Sequence, residues 1–339
     1  MSSTPESSQP RIANRWRLTL PDRIHVVALT GLAIFLIFAL TVPRFLTQET
    51  LLNMLREVAL LGILSSGMTF LFVVGEIDIS IGSVYGFLTV IMGILVGRSG
   101  WNPWLAMVAV IALGALVGAC TGLIVTRIGI PSFIVTLAQL VAYRSAALLV
   151  SGEQPSVGDG IGSFYVASGG YLSGRFPSLV LWMVMIVVLT GTLLAKTKFG
   201  FHVYATGGDR DASASWGIPT RRVKLLCFML MGALCGLSGA LLFGWLQVAA
   251  PATGTGLEFS VIAAVLLGGT ALRGGRGSVL GSLIGVCIIE LLSSSLVLLG
   301  LSQQWKDVAT GGLILFASTL DWLIRKMSLR RAPGIFAND

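Results

Sequence analysis

Two carboxylates lie between glycines in an otherwise apolar part of the chain. Glu76 and Asp78 fall within Gly75–Ser83, a short segment that separates two apolar runs. A carboxylate in a lipid-facing helix is costly, so such residues usually face a cavity or the interior of a helix bundle. The pattern therefore predicts a helix break that lines a translocation path. A second interpretation stays open, in which a short solvated turn places its acids at the N-terminus of the next helix and stabilises its dipole. Glu258 and Glu290 are weaker candidates for a path, and Glu258 can equally cap a helix.

A second polar segment, Lys196–Arg222, is long for a simple connection. Asp209 can cap a short helix, and Gly217 and Pro219 are typical of residues that follow a helix end. Such a helix could dock into a cleft of a soluble partner. This interpretation is favoured over an ordinary connector, since a connecting loop could be far shorter. The residues assigned to docking are Gly208, Asp209, Arg210, Asp211, Ala212, Ser213 and Gly217.

Motifs for catalysis are absent from the sequence. It has no His-Glu-x-x-His, no Gly-x-Ser-x-Gly and no Gly-Lys pair, so it lacks the phosphate-binding loop of an ATPase. The four cysteines and two histidines have no metal-binding spacing, and we expect neither a metal nor a cofactor on this chain. If transport is driven by ATP, then ATP and Mg²⁺ must be bound by another polypeptide.

The amino-acid composition indicates that these polar segments belong to a membrane protein. Of the 339 residues, 55% are hydrophobic and only 11% are charged, whereas a soluble domain has about 25% charged residues. This excludes an ordinary soluble enzyme. The net charge of +8 does not indicate nucleic-acid binding either, because a basic face on a soluble fold is missing. The sequence predicts an all-α, polytopic membrane protein.

About ten apolar runs approach the length of about 20 residues that a bilayer requires of a helix. They are Ile24–Val42, Leu51–Val74, Ser83–Val96, Pro103–Val125, Pro131–Val150, Leu179–Ala195, Lys224–Trp245, Leu257–Leu272, Ser278–Leu299 and Trp305–Ile324.

The distribution of basic residues predicts the direction of these spans. With the N-terminus inside, most of the 23 lysines and arginines fall in inner segments, as the positive-inside rule requires. We therefore predict cytoplasmic tails at 1–23 and 326–339 around a transmembrane domain at 24–325. The segment 196–222 becomes a cytoplasmic loop.

Glycines recur at four-residue steps in two of the spans. Gly114, Gly118 and Gly122 lie in the fourth span, and Gly277, Gly281 and Gly285 accompany the ninth. This spacing favours close packing of helix backbones, mainly within the chain. Because the two strings are five helices apart and cross in opposite directions, they also suggest an inverted five-helix repeat.

These segments together resemble the permease subunits of bacterial ATP-binding-cassette importers for monosaccharides, of the ribose-permease type. Gly75–Ser83 is similar to the family's Gly-Gly-Ile-Asp-Leu-Ser-Val-Gly-Ser stretch, and Tyr204–Ile218 is similar to its docking loop. Leu267–Thr270 and Gly274–Gly277 match as well. Glu76 departs from the family, which usually has glycine there, and Asp211 and Trp216 replace smaller residues.

The resemblance implies import of a monosaccharide across the bacterial inner membrane. It also implies the partners: a periplasmic or lipoprotein sugar-binding protein, a second permease copy or a paralogue, and cytoplasmic ATPase subunits. An ion-coupled secondary transporter is the alternative, with its intramembrane carboxylates as the ion site. The side chains expected along the path are Glu76, Asp78, Ser80, Ser83, Tyr85, Ser132, Thr136, Gln139, Glu258 and Thr270.

Overall fold

The chain folds into a helical bundle with short two-residue strands at one end. The computed structural model describes residues 20–158, 162–172, 176–302, 304–315 and 319. Most of the predicted N-terminal tail and the whole predicted C-terminal tail lie outside these residues. The helices are α1 (Leu20–Thr41), α2 (Gln48–Val73), α3 (Ile81–Gly93), α4 (Pro103–Leu123), α5 (Ser132–Ser151), α6 (Gly162–Ser168), α7 (Ser178–Lys196), α8 (Lys198–Gly208), α9 (Arg210–Ser215), α10 (Thr220–Leu246), α11 (Leu257–Leu267) and α12 (Val279–Leu298), and residues 304–315 are also helical. Turns of π-helix at Ile94–Arg98 and Ile124–Ile128 extend α3 and α4.

Within the described residues, seven helices are long and apolar enough to cross a membrane. Two shorter apolar helices, Val27–Thr41 and Leu257–Leu267, accompany them. The all-α, polytopic architecture is therefore confirmed, whereas the count of ten spans stays a prediction. In the most apolar 18-residue stretch of α2, 94% of the residues are buried, whereas in that of α5 only 17% are buried. Helix α2 therefore lies at the centre of the bundle and α5 at its periphery.

Glycines allow α4 and α10 to pack with their backbones in contact. Gly114 faces the carbonyl of Gly232, and Gly118 faces the carbonyl of Phe228. A side chain at either position would overlap a backbone oxygen of the neighbouring helix. The four-residue spacing thus serves packing within the chain, as predicted.

Two helices, α3 and α11, begin inside the bundle rather than at its surface. The carbonyl oxygen of Ile81 lies 3.9 Å from the Cys235 sulfur, near the middle of α10. Gly82, the second residue of α3, contacts both Glu258 and the carbonyl of Gly254. The N-termini of α3 and α11 therefore meet in the interior of the bundle.

The connecting segments gather at two opposite ends. At one end, Ser156–Val157 pairs antiparallel with Val248–Ala249, and Arg98 Nη2 donates to the Ser151 carbonyl at 2.6 Å. At the other end, Gly275 N donates to the Val73 carbonyl at 2.8 Å. In the predicted topology, consecutive spans cross in alternating directions. The segments named here lie at the two ends that this topology predicts for them.

The inverted repeat receives mixed support from this packing. The third and eighth predicted spans, α3 and α11, are both interrupted helices that enter from opposite ends, as such a repeat requires. The glycine strings differ, however, because Gly118 packs on α10 whereas Gly285 packs on the Ala264 carbonyl of α11. These partners are not equivalent under a five-helix repeat, so the repeat stays a prediction.

Candidate translocation path and coupling site

The segment between α2 and α3 is a helix break, and its two acids have different partners. Glu76 forms an ion pair with Lys224 of α10. The Asp78 carboxylate accepts hydrogen bonds from the Ser80 backbone nitrogen at 2.8 Å and from its hydroxyl at 2.6 Å. Asp78 therefore shapes the turn that starts α3. The break is buried from Asp78 to Ser80, and its acids fix local structure, whereas its place along a translocation path stays a prediction.

Glu258 is a predicted path residue with an unsatisfied side-chain oxygen. It lies in the first turn of α11, is only 5% exposed, and its Oε2 atom has no hydrogen-bond partner among the described residues. This atom faces Gly82 at the start of α3. Because the N-terminus of a helix carries partial positive charge, the two converging N-termini stabilise an anionic or oxygen-rich group between them. The site therefore leaves one oxygen of Glu258 free to accept a hydrogen bond.

The other predicted path residues fall into separate groups. Ser83 and Tyr85 are buried on α3, close to the same meeting point. The Ser132 hydroxyl accepts a hydrogen bond from the Ile77 backbone at 3.3 Å, and Thr136 donates to the Ser132 carbonyl. The side chain of Gln139 instead bonds to Thr121 of α4 at 3.0 Å.

Thr270 does not join Glu258, because it lies beyond the opposite end of α11. Its hydroxyl is 3.5 Å from that of Ser282, which in turn bonds to Thr69 at 2.7 Å. Glu290 is buried on α12 and contacts Glu57 of α2. Neither residue belongs to the meeting point of the interrupted helices.

Arg144 is a site residue that the motifs did not identify. Its Nη1 atom donates to the Thr253 carbonyl at 2.8 Å and so fixes the segment that precedes α11. Its position in the middle of an apolar run could have indicated a functional residue, since charged residues within membrane spans usually face the bundle interior and serve a function.

The loop 196–222 contains the predicted short helix. The Asp209 carboxylate caps α9 by accepting from the Ala212 backbone nitrogen at 2.9 Å. Gly217 follows with φ of +82°, a left-handed conformation that glycine adopts without steric cost. Trp216 between them is 88% exposed. A helix that ends in a bare indole presents an apolar contact surface to a partner.

The neighbouring helix α8 connects α9 to the interior of the bundle. Gly207 at the end of α8 contacts the Val73 carbonyl and the Gly275 nitrogen. Tyr204 of α8 donates to the Gly277 carbonyl at 2.7 Å. Burial raises the pKa of Tyr204, so its phenol remains a donor at neutral pH. One short helix thus touches the end of α2, just before the break, and the loop that follows α11.

Known proteins resemble this chain over most of its length. Residues 50–318 match the family described as the permease component of branched-chain amino acid transport systems. The chain belongs to this permease family.

The ribose import permease of Bacillus subtilis is 39% identical over 281 residues, which cover 82% of this chain and 86% of the relative. The L-arabinose permease of Azospirillum brasilense is 32% identical, with 91% of this chain and 90% of the relative covered. The fructose import permease of Rhizobium meliloti is 32% identical, with 84% and 81% covered. The permease is thus a multi-pass membrane protein of a transport family.

Proposed function

We propose that this permease imports a monosaccharide or a similar polyhydroxylated molecule, driven by a separate ATP-binding-cassette ATPase. The observation that carries the proposal is the exposed, capped helix α9, joined through α8 to the segments that flank both interrupted helices. Three permeases named for sugars share 32–39% identity with the chain. The family relationship favours this mechanism over an ion-coupled secondary transporter.

The meeting point of α3 and α11 is the proposed substrate contact. Sugar hydroxyls donate hydrogen bonds, and the free Glu258 oxygen is an acceptor held in the interior of the bundle. The family description names branched-chain amino acids, whereas three relatives are named for ribose, L-arabinose and fructose. These relatives favour a sugar as the substrate.

Coupling follows from the contacts of α8. When a cytoplasmic ATPase moves α9, the displacement passes to Gly207 and from there to Val73 and Gly275. Val73 precedes the break that leads to α3, and Gly275 lies in the loop between α11 and α12. One movement therefore acts on both interrupted helices. ATP and Mg²⁺ belong to the partner ATPase, and a periplasmic or lipoprotein sugar-binding protein delivers substrate at the opposite end.

Uptake of labelled compounds tests this function. Cells that express the permease with its ATPase and binding protein are offered pentoses, hexoses, polyols and leucine. We expect uptake of a sugar or polyol that stops on ATP depletion. Uptake of leucine alone would contradict the substrate class. Uptake that survives ATP depletion but collapses with an ionophore would instead establish the ion-coupled alternative.

A further inference from the structure

A cavity of about 500 Å³ opens between α4 and α10 at the end of the bundle that carries α9. Its lining consists of Leu123, Thr126, Arg127, Arg221, Arg222 and Leu225. Pockets that hold small molecules commonly measure about 300–1,000 Å³, so this one is large enough for a headgroup. It is separate from Glu258 and from the contacts of α8.

Three arginines give the cavity its chemical character. Arg127 lies in the π-helical turn at the end of α4, and Arg221 and Arg222 lie in the first turn of α10. None of the three forms an ion pair or a side-chain hydrogen bond with a residue in the described part of the chain. All three arginines are exposed, and an anion bound between their guanidinium groups would reduce the repulsion among them. Their planar donor sets match the oxygens of a phosphate group.

Exposed apolar side chains of α4 lie next to the cavity. Leu123, on the cavity wall, is 39% exposed, and Leu116 on the same face of α4 is 59% exposed. A ligand whose phosphate contacts the arginines can therefore lay an apolar chain along α4.

We infer that this cavity binds the headgroup of an anionic phospholipid, with its acyl chains against the exposed leucines. Basic pockets between transmembrane helices at the cytoplasmic side are suited to such headgroups. Free phosphate shares the anionic group but cannot use the apolar face. A bound lipid would hold the start of α10 against α4, directly after the segment that contains α9.

Lipid binding to the permease in nanodiscs or detergent tests the inference. The probes are phosphatidylglycerol, phosphatidylcholine and inorganic phosphate, read by native mass spectrometry and by thermal unfolding. We expect phosphatidylglycerol to bind and to raise the unfolding temperature, and the other two probes to have little effect. In the Arg127→Gln, Arg221→Gln, Arg222→Gln variant, affinity for phosphatidylglycerol should fall about tenfold or more.

Two matched variants separate charge at the site from total charge and from damage to the fold. Lys196→Gln, Lys198→Gln, Arg273→Gln removes three exposed cations at the same end and should keep full binding. Replacing the three cavity arginines with lysine retains the charge and should keep most of the binding of phosphatidylglycerol. Equal loss in the Lys196 variant would show a diffuse surface effect and overturn the site.

Three other results would also overturn it. Equal stabilisation by inorganic phosphate would assign the cavity to a soluble anion. Unchanged lipid binding in the glutamine variant, with loss of the ATPase from purified complexes, would assign the arginines to a protein contact. Unchanged lipid binding and an unchanged complex would leave the arginines with no ligand.

Discussion

The ion pair of Glu76 and Lys224 links the break before α3 to the start of α10. Both side chains are largely shielded, with 11% and 14% exposure. In Glu76→Gln, the Lys224 ammonium loses its partner while still part-buried, which should lower the free energy of unfolding by about 1–3 kcal/mol. Thermal unfolding in detergent measures the change. The Glu76→Gln, Lys224→Gln double variant should recover part of the loss, and a parental melting temperature in Glu76→Gln would contradict a structural role for the pair.

Glu258 provides a second prediction for a single residue, this one about transport. Glu258→Gln keeps the size of the side chain but replaces one oxygen with an NH₂ donor. If the free oxygen accepts a substrate hydroxyl, KM for uptake should rise about twofold to tenfold, since a hydrogen bond contributes about 0.5–1.5 kcal/mol. Binding of the ATPase should not change. Uptake kinetics test this, with Glu290→Gln as a control at a buried acid away from α3. An equal rise in KM in both variants would show a general packing defect.

Local residue patterns could be predicted from the sequence, but partners distant in the chain could not. The Asp209 cap and the Gly217 turn are fixed by neighbours within a few residues, so the spacing of residue types suffices. The partner of Glu76 lies 148 residues further along the chain, and no local pattern indicates it. The free oxygen of Glu258 depends on Gly82 in another helix, so the sequence could name the acid but could not describe its surroundings.

Among the elements, α9 and its turn should transmit the motion of the ATPase. Gly217→Val places a β-branched residue at φ of +82° in open space, so the cost of about 1–2 kcal/mol is confined to the backbone. We expect α9 to lose its orientation, with weaker ATPase association or uncoupled hydrolysis, and with loss of uptake. Co-purification, ATPase assays and uptake measure these effects.

Gly129 is a matched control for this substitution. It follows α4 at the same end, has φ of +86°, and also has open space around its α-carbon. Gly129→Val imposes the same type of strain outside the coupling loop and should retain uptake. If both variants transport normally, α9 is only a connector.

A second prediction for the elements is that the close contact between α4 and α10 stabilises the fold. In Gly118→Ala, the new methyl group would overlap the Phe228 carbonyl, and overpacking of this kind costs about 1–3 kcal/mol. Gly191→Ala on α7 is the control, because its nearest neighbour is the Val279 β-carbon at 4.0 Å. The melting temperature should fall in the first variant only. Equal tolerance of both changes would show that the glycine spacing does not set the distance between these helices.

The apolar runs predicted most helices, but not the depth at which they begin. Lengths of apolar sequence determine whether a helix can span a bilayer, and α2, α4, α5, α7, α10 and α12 follow from them. The start of α3 in the interior depends on its contacts with α10 and α11. Hydropathy does not distinguish this case from a short span that begins at the surface.

For the whole molecule, the orientation in the membrane is the remaining prediction. The structure gathers the 151–158 and 247–249 segments at one end and the coupling loop at the other, and the excess of basic residues assigns the second end to the cytoplasm. Single cysteines on a cysteine-free background test this with a membrane-impermeant thiol reagent. Ser168 and Ser213 lie in the relevant loops but are buried, so Gln154 and Ala214, which are exposed, are better positions. Gln154→Cys should react in intact cells, whereas Ala214→Cys should react only after permeabilisation. The reverse pattern would show the opposite orientation in the membrane. Helix α9 would then be out of reach of any cytoplasmic ATPase, which would remove the basis for coupling through α8.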